Sequence, residues 1–409
     1  MSVNKAIQQA NGMMSSCARH RISEHNTVSV PYFLYDLDAL ASHAQQLQHT
    51  SIKLWYAVKA NPLSRVIHTL AQAGFNFDVA SIGELDQVLA QGVDPKNILH
   101  TGPAKSLAQF QYFIAEGVRI FVLESRQQVQ DVQQAAQEAG VTVQALLRVQ
   151  LRWEGEQDNV LGGCQLTPFG LFPDDWHGLD LSAFANIDFQ GLHIFQWGNI
   201  TDPQELKRIW HIMLSPLQAL AKALALPIRV LDLGGGLGIP YAGQTESLSW
   251  AAVQDVLADI QAQLPDTEIW MELGRYVVGK MGVYVVPVVD RKTSGGRELL
   301  VLAGGANHLL RPAITGQAFP VHLFRDSDAP SRPFQLHGPL CTGMDGLGTH
   351  DLPSDIGVGD VLVFSQCGAY GFTESMPLFL CHTLPGEVVY QAGQVEVLRM
   401  PLAAESWLK

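Results

Sequence analysis

Eight short β-rich runs, separated by stretches with helical apolar spacing, constrain this chain more than any other feature. The runs lie at 53–59, 75–81, 97–102, 119–124, 141–151, 187–195, 227–233 and 268–274, and the first four start at 22-residue steps (53, 75, 97, 119). Between them, Leu63 to Ala73, Glu84 to Gln91, Ala104 to Glu116 and Gln127 to Ala139 place apolar residues at the three-to-four spacing of a helix with one buried face. Strand–helix units repeated eight times predict a (β/α)8 barrel. A doubly wound open sheet is the alternative, but similar units over about 235 residues fit closure better.

After residue 283 the texture changes. VYVVPVVDRK, RELLVLAG, FPVHLFR, FQLHGPL, DVLVFSQ and VEVLRMP are strands without helices between them, broken by Gly, Pro and Asp turns. The expected organisation is a loosely ordered start over 1–27, a barrel over 38–282, and an all-β domain over 283–409 that also takes in 28–37, which contains the strand-like PYFLYDL. With 409 residues, 47% hydrophobic and 16% charged, the chain has material for two such cores. A net charge of −13 argues against nucleic acid as the main partner. No apolar run of membrane-spanning length is present. The cysteines at 17, 164, 341, 367 and 381 form no CxxC pair, which predicts neither a disulfide framework nor a metal cluster and fits a reducing cytoplasm.

In a barrel of this kind, chemistry sits at the C-terminal ends of the strands. Lys59 closes the apolar run Lys53 to Lys59 just before Asn61-Pro62, and strand alternation puts it on one face with Trp55 and Ala57. A lysine there either snorkels to the strand end or serves as an amine, for example toward the aldehyde of pyridoxal phosphate. The seventh run ends in Gly234-Gly235-Gly236, where bare backbone N–H groups can approach an anion, or which is simply a tight turn. The eighth ends in Glu272-Leu273-Gly274-Arg275. This is either a mutual ion pair or an acid for a pyridine nitrogen beside a phosphate-binding glycine and arginine. An acid at that nitrogen keeps the ring a strong electron sink and suits decarboxylation; an arginine there suits a racemase.

YAVKANP at 56–62, the triple glycine, ELGR at 272–275 and GPLCTGMD at 338–345 stand in an order that resembles the alanine-racemase-fold (fold type III, group IV) pyridoxal phosphate decarboxylases, which include ornithine, arginine and diaminopimelate decarboxylases. The resemblance runs from about residue 30 to about residue 400. It implies a carboxy-lyase in which Lys59 forms the Schiff base, with Asp78 and Glu84 as acids near it. Gly235, Gly236, Gly274 and Arg275 hold phosphate, Tyr370 closes the site and Glu272 pairs the ring nitrogen. It also implies a head-to-tail homodimer with composite sites, in which Cys341 comes from the partner and protonates the carbanion. A plain buried thiol is the alternative for Cys341.

The departures from the family pattern bear on the substrate. Thr342 stands where the diamino-acid enzymes carry an acid that meets a distal ammonium. Arg311, followed by Pro312, resembles a substrate-carboxylate arginine, but Thr315 replaces the tyrosine expected after it. Phe195 replaces the stacking histidine and can still cover a ring face. His193, two residues before it, is either a substrate contact or a packed barrel histidine. Asp345 completes the expected substrate set. The chain is similar to a branch that includes enzymes acting on glutamate tethered to an acyl carrier protein. The expected reaction is therefore α-decarboxylation of an unusual or carrier-tethered L-amino acid in a biosynthetic pathway. A diamino-acid decarboxylase, a racemase and a non-catalytic cofactor-binding protein are the alternatives.

Overall fold

The computed structural model describes residues 3–18, 30–48, 52–152, 166–244 and 247–408. The chain forms two compact units, one of residues 1–42, 240–245 and 278–409, the other of residues 43–239 and 246–277.

The second unit is a closed barrel of eight parallel strands: Ile52–Ala57, Asn76–Val79, Ile98–His100, Ile120–Leu123, Val143–Arg148, Ile187–His193, Val230–Asp232 and Glu268–Leu273. The eighth pairs back onto the first, with Trp55 opposite Glu272. The interior is filled by Trp55, Leu99, Ile120, Val122, Leu146, Val230 and Trp270, so the barrel is a packed core rather than a pore. Five of its helices begin on polar caps. Ser81, Ser106, Ser125, Asp202 and Ser249 each accept a backbone N–H from the first turn of Ile82–Leu89, Leu107–Ala115, Arg126–Glu138, Pro203–Ala223 and Trp250–Gln263. Each such cap contributes about 1 kcal/mol and fixes where a strand-to-helix loop ends. The rhythm breaks once. Between the fifth and sixth strands, the described residues hold only the short helix Pro173–Trp176 and the 3₁₀ turn Leu181–Ala183.

The first unit is built on a nine-stranded sheet. Its inner strand Tyr32–Asp36 runs antiparallel to Gly282–Ser294 and parallel to Gly386–Gln391. The N-terminal residues, read from sequence as loosely ordered, instead form a helix over Val3–Ala18. Ala6, Ile7, Ala10 and Met14 recur on one face and pack with Tyr32, Leu34, Val285 and Val388. The Tyr32 hydroxyl bonds Asn11 Oδ1 at 2.9 Å and the Ile7 carbonyl at 3.2 Å. Residues 19–27 lie outside the described residues, as do the side chains of Cys17 and Cys164. Among the described residues no helix is long and apolar enough to cross a membrane.

Candidate active site

Lys59 lies just past the first barrel strand, in the 3₁₀ turn Val58–Ala60, rather than on the strand itself. The proline explains the difference. The residue before Pro62 is driven to an extended backbone (Asn61, φ −163°, ψ 103°), so the chain turns earlier. The Tyr56 hydroxyl donates to the Asn61 carbonyl at 2.9 Å and ties the turn down. The Lys59 side chain remains 42% accessible, with Nζ 3.9 Å from Asp78 Oδ2 and 5.7 Å from the centroid of the Phe195 ring.

Three buried acids end strands of this barrel, two of them interacting with this amine, and their environments drive them apart. Asp78, at the end of the second strand, accepts from the Thr101 hydroxyl at 2.5 Å. Burial, reinforced by Glu272, pushes its carboxyl up to about 8; Lys59, at the limit of ion-pair distance, does not reverse that. Asp232 ends the seventh strand, with Oδ1 accepting from the Gly234 N–H at 2.8 Å and Oδ2 without a partner among the described residues. Burial and then Glu272 hold it well above the usual carboxylate range. Glu272, on the eighth strand, goes the other way. Burial alone would raise it, but His193, Lys59 and Arg148 outweigh burial and hold it down at about 2. His193 Nε2 is 3.0 Å from Glu272 Oε1. Burial favours the neutral imidazole, so the pair is a carboxylate accepting from Nε2–H. His193, Asp232 and Glu272 each present a ligand-type atom within 4.8 Å of the others.

Glycine shapes the neighbouring turn. Gly234 (φ 62°) and Gly236 (φ 76°) are left-handed, and a Cβ on Gly235 would strike the Glu272 carbonyl oxygen. The Glu272 N–H donates to the Gly234 carbonyl at 2.5 Å, so the turn and the eighth strand are locked together. Arg275, directly after Gly274, is buried at 8% exposure. Glu84, capped by its own contact to the Ala80 N–H at 2.7 Å, is raised by burial.

Four residues of this region were missed in the sequence. Asp232 immediately precedes Leu233 and the triple glycine. Arg148, at the end of the fifth strand, bonds Glu124 Oε1 at 3.1 Å through Nη1, and Lys105 Nζ lies 3.5 Å from the same oxygen. The Gly170 N–H occupies Glu124 Oε2 at 3.2 Å. Burial lowers Lys105 to about 8. The available signal was a charged residue at the end of an apolar strand in VLES, LLRV and VLDL; Lys105, in the loop after the third strand, offered no such signal.

The remaining expected residues belong to the β unit. Cys341 is exposed. Thr342 Oγ1 accepts from the Met344 N–H at 3.3 Å. Asp345 leaves the substrate set. It is buried, and its two oxygens accept the Ala306 and Leu340 N–H groups at 2.6 Å each, so its carboxylate holds the turn together. Arg311 is gripped by Glu374 and lies 4.4 Å from the centroid of the Tyr370 ring. Tyr370 itself has φ 53°.

A pyridoxal phosphate site needs an accessible amine, an aromatic face, an ionised acid for the ring nitrogen and a cradle for phosphate. The barrel residues fit each demand. Lys59 is the amine, Phe195 the face beside it, Glu272 the one acid held ionised, and Gly234 to Gly236 a turn without side chains. Comparison with known proteins agrees. The family model for the pyridoxal-binding domain of pyridoxal-dependent decarboxylases matches residues 37–279. A 2-[(L-alanin-3-ylcarbamoyl)methyl]-2-hydroxybutanedioate decarboxylase of Staphylococcus aureus is 28% identical, covering 88% of this chain and 94% of its own. An L-glutamyl-[BtrI acyl-carrier protein] decarboxylase of Niallia circulans is 24% identical over 90% of each chain. Diaminopimelate decarboxylase of Pseudomonas aeruginosa is 29% identical over 78% of this chain and 77% of its own. The structure of diaminopimelate decarboxylase from Helicobacter pylori superposes with a TM-score of 0.82 at 21% identity, covering 95% of this chain and 98% of that one, and shares the fold. The chain belongs to the pyridoxal-dependent decarboxylase family, with pyridoxal phosphate as its cofactor and amino acids as its class of substrate.

Proposed function

We propose that this enzyme removes the α-carboxylate of an L-amino acid whose distal end bears no free ammonium, and that the substrate is tethered through that end to a carrier protein. Thr342 carries the reading. A neutral hydroxyl beside Cys341, already accepting from the Met344 N–H, cannot offer the charge-assisted contact that a distal ammonium needs. The 24% identity to a decarboxylase of carrier-bound glutamate supports it.

The residues take the following roles. Bound in the barrel, pyridoxal phosphate supplies the electron sink for the electron pair released as carbon dioxide leaves. Lys59 holds its aldehyde carbon and Phe195 covers the ring. The Gly234 to Gly236 turn, Gly274 and Arg275 bind the phosphate. Glu272, kept ionised by His193, holds a proton on the ring nitrogen. Cys341, from the second copy in a homodimer, delivers a proton to the α carbon.

Carbon dioxide release decides the substrate. Carrier protein loaded with L-glutamate is compared with free ornithine, lysine, arginine and meso-diaminopimelate. The tethered substrate is expected to lead by at least tenfold in kcat/KM. Faster turnover of a free diamino acid overturns the substrate assignment and favours a diaminopimelate-type enzyme, a reading supported by the 29% identity to the Pseudomonas protein.

A further inference from the structure

The fifth and sixth strands part at the C-terminal end of the barrel, and a side chain bridges them. Their backbone ladder pairs Arg148 with His193, and the Val149 N–H donates to the His193 carbonyl at 2.8 Å. In a parallel ladder the next rung, two residues on, would run from the Leu151 N–H to the Phe195 carbonyl. The Leu151 N–H turns instead to Gln196 Oε1 at 2.7 Å, and Gln196 Nε2 donates to the Leu151 carbonyl at 2.8 Å. Leu151 fixes which way the amide faces, since its N–H can only donate and its carbonyl only accept. Gln196 is 2% exposed and Leu151 6%, so bulk water offers neither a substitute partner. The Phe195 carbonyl accepts from Arg148 Nη2 at 3.4 Å. On the other side, the Ile194 N–H donates to the Asp232 carbonyl of the seventh strand at 2.9 Å. A Cβ on Gly234 would lie 2.7 Å from both Cβ and Cδ2 of Phe195, so the glycine turn packs directly against that side chain. The ring itself is half-buried, with its centroid 5.7 Å from Lys59 Nζ. Packing therefore holds only part of the ring, and the backbone on either side supplies the rest of its placement.

We propose that Gln196 is a positioning residue: its side-chain amide stands in for the backbone rung between the fifth and sixth strands and thereby holds Phe195 over the cofactor ring beside Lys59. The inference rests on the reading above that Phe195 covers that ring. The physical argument is one of constraint. Phe195 offers the cofactor neither a hydrogen bond nor a charge, so its contribution is stacking, which falls away when two faces tilt or separate. Bridging through a glutamine side chain sets Phe195 off from the fifth strand by a fixed span. With an apolar residue at 196, the Leu151 N–H and carbonyl would be buried and unpaired. They could regain partners only by drawing the Phe195 backbone into the ladder or by admitting water. Either change moves the ring from its place beside Lys59.

Cofactor release and the dichroism of the bound cofactor's visible band test this without turnover. Release is timed by absorbance after the holoenzyme is mixed with an excess of an unrelated pyridoxal phosphate-requiring apoenzyme, which captures what dissociates. Phe195→Leu should speed release by about three- to tenfold, the value of one aromatic stack. Gln196→Leu should do the same by acting through Phe195. The variant carrying both substitutions should then release no faster than about twice the quicker single variant. Dichroism per bound cofactor should weaken in Gln196→Leu as it does in Phe195→Leu, which a loss of overall stability would not cause. Release in Gln196→Leu within about twofold of wild type, or effects that multiply in the double variant, overturns the inference. If Gln196→Leu does not fold, Gln196→Glu takes its place under the same thresholds. It keeps an acceptor for the Leu151 N–H but, once ionised, turns a negative oxygen toward the Leu151 carbonyl. Unchanged release in Phe195→Leu removes the ring-face assignment of Phe195 and this inference with it. Faster release in Phe195→Leu beside wild-type release in Gln196→Leu removes this inference alone.

Discussion

Replacing His193 with leucine tests the electrostatic centre of the barrel. In the native protein, Glu272 is buried and held at about 2 rather than 4.5, with His193 Nε2 at 3.0 Å from its Oε1. That gap corresponds to about 3 kcal/mol in favour of the ionised form, at roughly 1.4 kcal/mol per pKa unit. Leucine fills similar space but leaves the carboxylate buried opposite Asp232. Removing the donor hydrogen-bonded to a buried carboxylate costs about 1.5–3 kcal/mol. For a unit of this size the thermal midpoint of the apoprotein should fall by about 3–12 °C at pH 7.5. Adding Glu272→Gln removes the stranded charge, so the double variant should recover about half of the loss or more.

The pH dependence supplies the sign check. A carboxyl depressed in the folded state gives stability that is present above 4.5 and lost as the pH falls toward 2. Without His193, burial dominates and the folded Glu272 rises above 4.5. The folded state then binds protons first, and acid from pH 7.5 to 5.5 should narrow the deficit between variant and wild type. Differential scanning calorimetry of the single and double variants at both pH values measures all of this. A drop of less than about 2 °C, or a double variant no more stable than the single one, would refute the claim that His193 holds Glu272 ionised.

Two further expectations follow from the same geometry. Gly235→Ala drives a Cβ onto the Glu272 carbonyl oxygen and displaces the turn; cofactor retention, read by absorbance after gel filtration, should weaken at least tenfold, and full retention would remove this turn from the phosphate site. Lys59→Ala and Cys341→Ala are each expected to be inactive alone, yet mixing them under conditions that exchange subunits should restore about a quarter of wild-type activity, because half the dimers are mixed and each contains one intact site; no recovery in exchanged dimers would refute the shared site.

The barrel was legible because its signals are local. Apolar spacing and the glycine turn each act within one strand–helix unit, so they stand in order along the chain. The first strand was read two residues too long, to Lys59, since alternation says nothing about how early Pro62 forces the backbone round. The N-terminal helix escaped notice because two of its four buried positions are alanines among glutamines and serines, and it needs the sheet carrying Tyr32 and Val388 to bury them. Asp345 looked like a substrate contact from its place after Cys341. Its backbone partners Ala306 and Leu340 are set by folding, and only one of them is its neighbour in the chain.

Which acid carries the charge is a different kind of question. Asp78, Asp232 and Glu272 are equivalent in sequence: each is a carboxylate at the end of an apolar run. Ionising them together in one buried pocket would set like charges against one another at low dielectric, so the pocket has to choose. Proximity to Lys59 does not make the choice, because Asp78 lies 3.9 Å from that amine and is still held protonated to about 8. The choice is made by His193, which the sixth strand delivers to Glu272 and to neither aspartate within hydrogen-bond distance, and by Arg148 from the fifth strand. Glu272 is thereby the one of the three that is held down as a carboxylate, while burial raises both aspartates. That is the arrangement a protonated ring nitrogen requires. It comes from the closure of the barrel, which brings side chains from its first, second, fifth, sixth, seventh and eighth strands or the turns that follow them into one field, and not from any one motif.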